Sequence, residues 1–164
     1  MRSGFLKRMA FLLGVTAVLN GPFFLQSQGE ELLKVESRIR PLRLSRGEEG
    51  KVVLKVKLKD GIFISPQPAF IIEFAPSEEL VFSKSFYTAS DLDIEVLEKD
   101  GREFLNFTDS IEIPFTVNLK ARRGIHVLEG KIKYFACSNE GSWCFKSSVK
   151  FSATYSTRLS IKKK

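Results

Sequence analysis

The chain has 164 residues, which is long enough for one domain with a hydrophobic core. Its formal net charge is +7, but the first 29 residues hold three basic side chains and no acidic one, so the rest of the chain carries only +4. Lys51, Lys55, Lys57 and Lys59 follow a two-residue period that Val53 interrupts, which fits the solvated face of a strand better than a track for phosphates. Composition and charge therefore predict no nucleic-acid partner.

Residues 1–29 have the pattern of a secretory signal peptide. A basic start is followed by the apolar run 9–19, which a break at residues 20–22 ends. That run is shorter than the roughly 20 apolar residues of a membrane-spanning helix, and the small residues up to Gly29 suit a cleavage site. We expect an exported protein whose folded domain is residues 30–164, or a protein anchored by residues 1–29 if the signal is not cleaved.

Strand patterns dominate the remainder of the chain. Residues 52–58 alternate apolar and basic side chains, and the turn pair Asp60 and Gly61 follows. An Asp-Gly pair between 94–97 and 104–107 predicts a β-hairpin. Further strands are predicted at 62–64, 69–74, 111–119, 127–137 and 144–155.

The spacing of these strands predicts the fold class. No segment after residue 30 keeps the 3.6-residue apolar period of an amphipathic helix. About seven to nine short strands separated by turn signals are typical of an all-β protein, and we predict an immunoglobulin-like two-sheet sandwich. Residues 83–93 fit no strand or helix pattern, so we predict a long loop there.

Cys137 and Cys144 are the two cysteines of the chain. If 127–136 and 145–155 pair as antiparallel strands, the cysteines face each other at a Cα separation of roughly 4.5–5.5 Å, which a disulfide tolerates. The chain-entropy model gives such a short loop only about 2.5 kcal/mol of stabilisation. A bridge at a loop mouth is also open to another protein's thiol. The residues alone leave open whether the bridge is a structural staple or a redox centre.

Residues 131–144, Lys-Ile-Lys-Tyr-Phe-Ala-Cys-Ser-Asn-Glu-Gly-Ser-Trp-Cys, resemble the active-site hairpin of the N-terminal periplasmic domain of DsbD. DsbD is the bacterial transmembrane thiol:disulfide interchange reductase. Residues 59–64, Lys-Asp-Gly-Ile-Phe-Ile, are similar to another strand of that domain. The chain departs from the family in its longer loop between the cysteines and in lacking the proline pair that commonly follows the second cysteine. The resemblance implies the immunoglobulin-like fold, in a standalone version of that domain.

The resemblance also implies a function. The protein would be a periplasmic thiol–disulfide exchange domain and a component of a protein-disulfide reductase system. It would carry reducing equivalents, by electron transfer through a Cys137/Cys144 dithiol–disulfide, between a membrane thiol:disulfide reductase and periplasmic thioredoxin-like proteins, as in cytochrome c maturation. Carried over from the family, Cys144 forms the mixed disulfide and Cys137 resolves it. We expect a monomer that needs no cofactor.

Six further residues are candidates for the surroundings of this site: Phe63, Phe86, Tyr87, Tyr134, Glu140 and Trp143. Phe63 stands where the family has a tyrosine. Phe86 and Tyr87 are candidates for the aromatic cap loop that shields the family's disulfide. Trp143 is expected either to shape a partner surface or to cover the end of the sandwich. Glu140 would raise the pKa of the Cys144 thiol if it lay close to that thiol.

Other functions remain open at this point. The main alternative is a non-catalytic immunoglobulin-like module that binds a partner protein or assists secretion, with the bridge as a local staple; an envelope adhesion module is another. His126, the one histidine, lies at the far end of the predicted strand from the cysteines. The sequence therefore predicts neither a zinc site nor a Cys–His hydrolase, because both need the ligands or the base beside the cysteine.

Overall fold

The computed structural model describes residues 31–159. The predicted signal peptide at 1–29 lies outside the described residues, as does the lysine-rich end at 162–164. No helix within the described part is long and apolar enough to cross a membrane.

Within residues 31–159 the chain forms twelve β-strands and one 3₁₀ helix. The strands are β1 (Leu33–Arg40), β2 (Arg43–Ser45), β3 (Glu49–Leu58), β4 (Ile62–Ile64), β5 (Ile71–Phe74), β6 (Leu80–Phe82), β7 (Phe86–Thr88), β8 (Val96–Lys99), β9 (Arg102–Leu105), β10 (Ile111–Val117), β11 (Gly124–Ser138) and β12 (Cys144–Arg158). The 3₁₀ helix, Ser90–Leu92, lies between β7 and β8.

The strands form two facing sheets and one separate hairpin. One sheet has the order β1-β3-β10-β6, and the other has the order β2-β12-β11-β5-β7, with β4 also paired to β11. Strands β8 and β9 pair only with each other. The prediction of an all-β sandwich is confirmed, because alternate residues of both sheets bury their side chains in one core, as β10 shows with Ile111, Ile113, Phe115 and Val117.

The basic residues of β3 lie on its solvated face. Val52 and Val56 are buried, while Lys51, Lys55 and Lys57 are exposed. On that outer face Lys51 forms an ion pair with Glu112 at 2.7 Å, and Lys57 pairs with a carboxylate of β1. This arrangement confirms the interpretation of these lysines as a solvated strand face, and exposed pairs of this kind contribute little to stability.

The two longest strands, β11 and β12, form a continuous antiparallel ribbon, hereafter the β11–β12 ribbon. The ladder extends from Gly124 opposite Thr157 to Cys137 opposite Cys144. Because side chains alternate along a strand, the even-numbered residues of β11 face the core. Four of these residues are buried, namely Leu128, Ile132, Tyr134 and Ala136. The odd-numbered residues, including Cys137, therefore lie on the outer face of the sheet.

The prediction of a long loop at 83–93 is wrong. Strand β7 pairs with β5 there, and the 3₁₀ helix follows. Asp91 holds the segment together: its carboxylate accepts hydrogen bonds from Lys84 and from the backbone N–H and hydroxyl of Thr88, at 2.9 Å each for Thr88. The Lys84 contact, followed by the two Thr88 bonds, lowers the pKa of Asp91 to about 2. A three-residue strand is too short to show a period in the sequence.

Candidate functional site

The two cysteines form a disulfide at the end of the β11–β12 ribbon. Their Cα atoms are 4.1 Å apart, and they lie directly opposite each other in the ladder. The next pair outward is hydrogen-bonded, since the Ser138 N–H donates to the Trp143 carbonyl at 3.2 Å. The cysteines therefore occupy a non-hydrogen-bonded position, where facing side chains approach most closely. The bridge joins neighbouring strands of one sheet and does not connect the two sheets.

The loop between the cysteines is held by hydrogen bonds that its backbone N–H groups donate. The Ser138 hydroxyl accepts from the N–H groups of Glu140 at 3.2 Å and Gly141 at 2.9 Å. The Asn139 N–H donates to the Gly61 carbonyl at 2.8 Å, which ties the loop to the turn between β3 and β4. A side chain at Gly141 would meet the Trp143 ring at 2.8 Å, so glycine at this position lets the indole lie over the loop.

The two cysteines differ sharply in exposure. Cys137 is 2% exposed, whereas Cys144 is exposed. Cys137 lies on the outer face, so its cover comes from outside the sandwich core. Phe63 of β4 lies directly beside it in the ladder, and the Phe63 ring meets Phe104 of β9 edge-on with centroids 6.5 Å apart. Strand β4 and the β8–β9 hairpin therefore flank the buried Cys137, whereas Cys144 at the start of β12 is exposed.

A groove of about 600 Å³ lies beside the bridge. Both cysteines line it, together with Trp143 and the segment 65–67. Its opposite wall is the β8–β9 hairpin, which contributes Glu98, Gly101, Arg102 and Glu103. The tip of that hairpin is Asp100 and Gly101, with φ of 54° and 71°, as a two-residue hairpin turn requires. The hairpin predicted from the Asp-Gly pair is thus confirmed, and the structure shows that it forms a wall of the site.

Phe86 and Tyr87 do not cover the disulfide, and that prediction is wrong. Phe86 lies beside Glu73 of β5, which in turn lies beside Lys131 of β11. Lys131 is six residues before Cys137, or roughly 20 Å along the strand. Tyr87 is buried in the core, with its hydroxyl 3.0 Å from the Ser83 hydroxyl. The aromatic residue that the sequence analysis missed at this place is Phe104.

The remaining predicted residues lie at different depths. Tyr134 is 3% exposed and packs on the core face of the ribbon, opposite to the face that carries the cysteines. Trp143 is 40% exposed and stacks on Phe145 with ring centroids 5.0 Å apart. Glu140 is exposed in the loop. Phe145, which sequence reasoning also missed, alternates with Cys144 and so lies on the other face of β12.

His126 takes no part in this site. Its Nε2 atom lies 3.0 Å from the Arg122 carbonyl and 2.8 Å from the Thr157 hydroxyl, at the opposite end of the ribbon from the cysteines. Among residues 31–159 no group of three or more His, Cys, Asp or Glu side chains is placed to hold a metal ion.

Comparisons with known proteins give only weak likenesses. No protein-family model matches the chain, and no curated protein matches it. Among solved structures, the N-terminal periplasmic domain of ScsB from Proteus mirabilis has 12% identity and a TM-score of 0.41, over 78% of this chain and 48% of the ScsB chain. A conjugative transposon lipoprotein from Bacteroides eggerthii has 13% identity and a TM-score of 0.33, over 74% of this chain and 98% of its own.

A third structure, of AAF fimbriae from enteroaggregative Escherichia coli, has 10% identity and a TM-score of 0.23, over 74% of this chain and 99% of its own. The chain spans about half the length of the ScsB structure. TM-scores below 0.5 establish neither a shared fold nor a shared function. Function is therefore inferred from the geometry of this chain.

Proposed function

We propose that this protein is an exported thiol–disulfide exchange domain. It carries reducing equivalents between a membrane thiol:disulfide reductase and periplasmic thioredoxin-like proteins, through the Cys137/Cys144 pair. The observation that carries this proposal is the asymmetry of the bridge, because Cys144 is exposed while Cys137 is 2% exposed. Thiol–disulfide exchange needs one sulfur that a partner can reach.

Reduction of the domain follows from this geometry. A thiolate of the reductase attacks the Cys144 sulfur, a bond forms between these two sulfurs, and the Cys137–Cys144 bond breaks. Cys137 leaves as a thiolate, which takes up a proton from water. The second thiolate of the reductase then attacks the reductase's first sulfur, which is bonded to Cys144 in the mixed disulfide. A disulfide forms within the reductase, and Cys144 leaves as a thiolate. Two electrons pass to the domain, and the reductase keeps the new disulfide.

Delivery to a partner is the same chemistry in reverse. The Cys144 thiolate attacks the partner's disulfide, and one partner sulfur leaves as a thiolate. The Cys137 thiolate then attacks the Cys144 sulfur, which releases the second partner thiolate and restores the bridge. Because the cysteines are already opposite each other in the ladder, this closing step needs little movement of the backbone.

The position of the bridge supports exchange over stapling. The ladder already pairs fourteen residues of β11 with fourteen of β12, so the strands are held together without the covalent link. On the other side of β11, pairing with β4 and β5 holds the ribbon in its sheet. The bridge closes a loop over a sequence separation of only 7, for which the chain-entropy model gives about 2.5 kcal/mol.

A direct test compares the reactivity of the two thiols. The variants Cys137→Ser and Cys144→Ser each keep one thiol, and we expect iodoacetamide to alkylate Cys144 at least about ten-fold faster than Cys137 in the folded protein, because access controls thiol reactivity. Mass spectrometry at timed intervals gives both rates. The control is the same pair in urea, where the rates should converge. Equal rates in the folded variants would contradict the proposal, since no sulfur would then be selected for attack.

A further inference from the structure

The outer face of the β11–β12 ribbon carries lysines that lie close together. Lys131 and Lys150 are directly opposite each other, at a non-hydrogen-bonded position of the ladder. Facing side chains are closest at such positions, and like charges placed there destabilise a sheet. On its other side Lys131 lies opposite Glu73 of β5, whereas Lys150 faces the like charge of Lys131 in the ladder.

Lys146 continues this charge toward the disulfide. It lies two residues after Cys144 on the same face, or about 7 Å along the strand. Lys146 and Lys150 are exposed. We name Lys131, Lys146 and Lys150 the lysine face.

The three lysines of the lysine face form no ion pairs within the described part of the chain, residues 31–159. Glu73 lies opposite Lys131 in the ladder with β5, but its carboxylate pairs with Lys133 at 2.5 Å. Glu129 lies on the same face opposite Ser152 and forms no ion pair with the three lysines within that range.

The other side of the bridge has a different character. There the β8–β9 hairpin places Glu98 and Glu103 beside Arg102 along the groove. This hairpin and Phe63 lie on the Cys137 side of the bridge. The lysine face lies along the ribbon on the other side, beyond Cys144.

We propose that the lysine face is a docking surface for an acidic partner protein, whose carboxylates meet Lys131, Lys146 and Lys150 while its thiol or disulfide lies at Cys144. This inference rests on the proposed function and specifies the chemistry of the partner surface. Charge complementarity of this kind steers encounter and raises the association rate, and it weakens as salt is added.

Two small thiols of opposite charge, mercaptoethanesulfonate and cysteamine, test the electrostatic potential at Cys144. The quantity measured is the ratio of their second-order rate constants for reduction of the disulfide, anionic over cationic, at about 10 mM ionic strength. A unit charge about 7 Å away attracts one probe and repels the other, so we expect Lys146→Gln to lower this ratio about five-fold. In about 0.5 M salt the difference should fall below two-fold.

Matched variants show whether the effect is local. Lys55→Gln removes the same charge from the outer face of the other sheet and should leave the ratio unchanged. Lys150→Gln, six residues from Cys144 or roughly 20 Å along the strand, should change the ratio by less than about two-fold. A third probe is a cysteine peptide with four flanking glutamates, which is long enough to span the lysine face. The Lys150→Gln variant should slow reduction by this peptide more than it slows reduction by mercaptoethanesulfonate.

Lys150→Glu separates docking from a structural role. It places a carboxylate opposite Lys131, so it should raise the midpoint of urea unfolding while it slows reduction by the glutamate peptide. A lower midpoint, or an equal response of the ratio to Lys146→Gln and Lys55→Gln, would overturn the lysine face as a docking surface. If neither thiol reduces the disulfide of the unaltered protein, the proposed function itself fails, and this outcome is distinct from reduction at equal rates.

Discussion

Cys144→Ser is expected to abolish thiol–disulfide exchange, whereas Cys137→Ser is expected to form mixed disulfides that persist. In the first variant the remaining thiol is the buried Cys137, which is 2% exposed and lies beside Phe63 in the ladder. In the second, Cys144 still attacks a partner, but no neighbouring thiolate is present to resolve the product. The two variants differ by a single sulfur position, so each is the control for the other in stability and charge.

The measurement uses glutathione disulfide as the partner. The reduced proteins are mixed with glutathione disulfide and quenched with acid at intervals. Mass spectrometry then measures the mass of each protein. We expect the unaltered protein to return to the intramolecular bridge, Cys137→Ser to accumulate a stable glutathione adduct, and Cys144→Ser to remain free. An adduct on Cys144→Ser that forms as fast as that on Cys137→Ser would show that the exposure difference does not select the attacking sulfur.

Ile132→Ala is expected to lower the free energy of unfolding by about 2–5 kcal/mol, as large core truncations do. Ile132 is completely buried on the core face of β11, between Val149 of β12 and Ile72 of β5. Removal of both cysteines should cost no more than the roughly 2.5 kcal/mol of the loop-entropy model. The core, and the ladder around it, therefore hold the ribbon in place when the bridge is reduced.

Urea unfolding of Ile132→Ala, of the double variant Cys137→Ser/Cys144→Ser and of the unaltered protein checks this expectation. Val127→Ala is the matched control, since Val127 is on the same strand but 58% exposed on the outer face, and it should change stability by less than about 0.5 kcal/mol. A double variant that fails to fold, or that loses more than Ile132→Ala, would identify the bridge as a structural staple.

The local parts of the site could be predicted from the sequence. Alternation along 127–137 and 144–155 was sufficient to place the strands, and their register put Cys137 opposite Cys144. The Asp-Gly pair was sufficient for the β8–β9 hairpin, because that turn needs residues that tolerate positive φ. These features depend on residues that are close together in the chain.

The cover of the disulfide could not be predicted, because it depends on residues far apart in the chain. Nothing in the local pattern of Phe104 indicates that its strand lies against Phe63, and nothing near Cys137 indicates that β4 joins β11 at that point. The assignment of Phe86 as a cap failed for the same reason, since only the order of strands β11, β5 and β7 shows that it lies far from the bridge. The difference in exposure between the two cysteines follows from this tertiary packing.

The most direct test of the central claim is the reduction potential of the Cys137–Cys144 bridge, measured by equilibrating the folded domain against glutathione and dithiothreitol buffers. A redox-active bridge should give a value between about −180 and −270 mV, within the range of known exchange proteins. A value below about −300 mV would mark a structural disulfide that the glutathione pool cannot reduce, and it would contradict the role of this protein as an electron carrier.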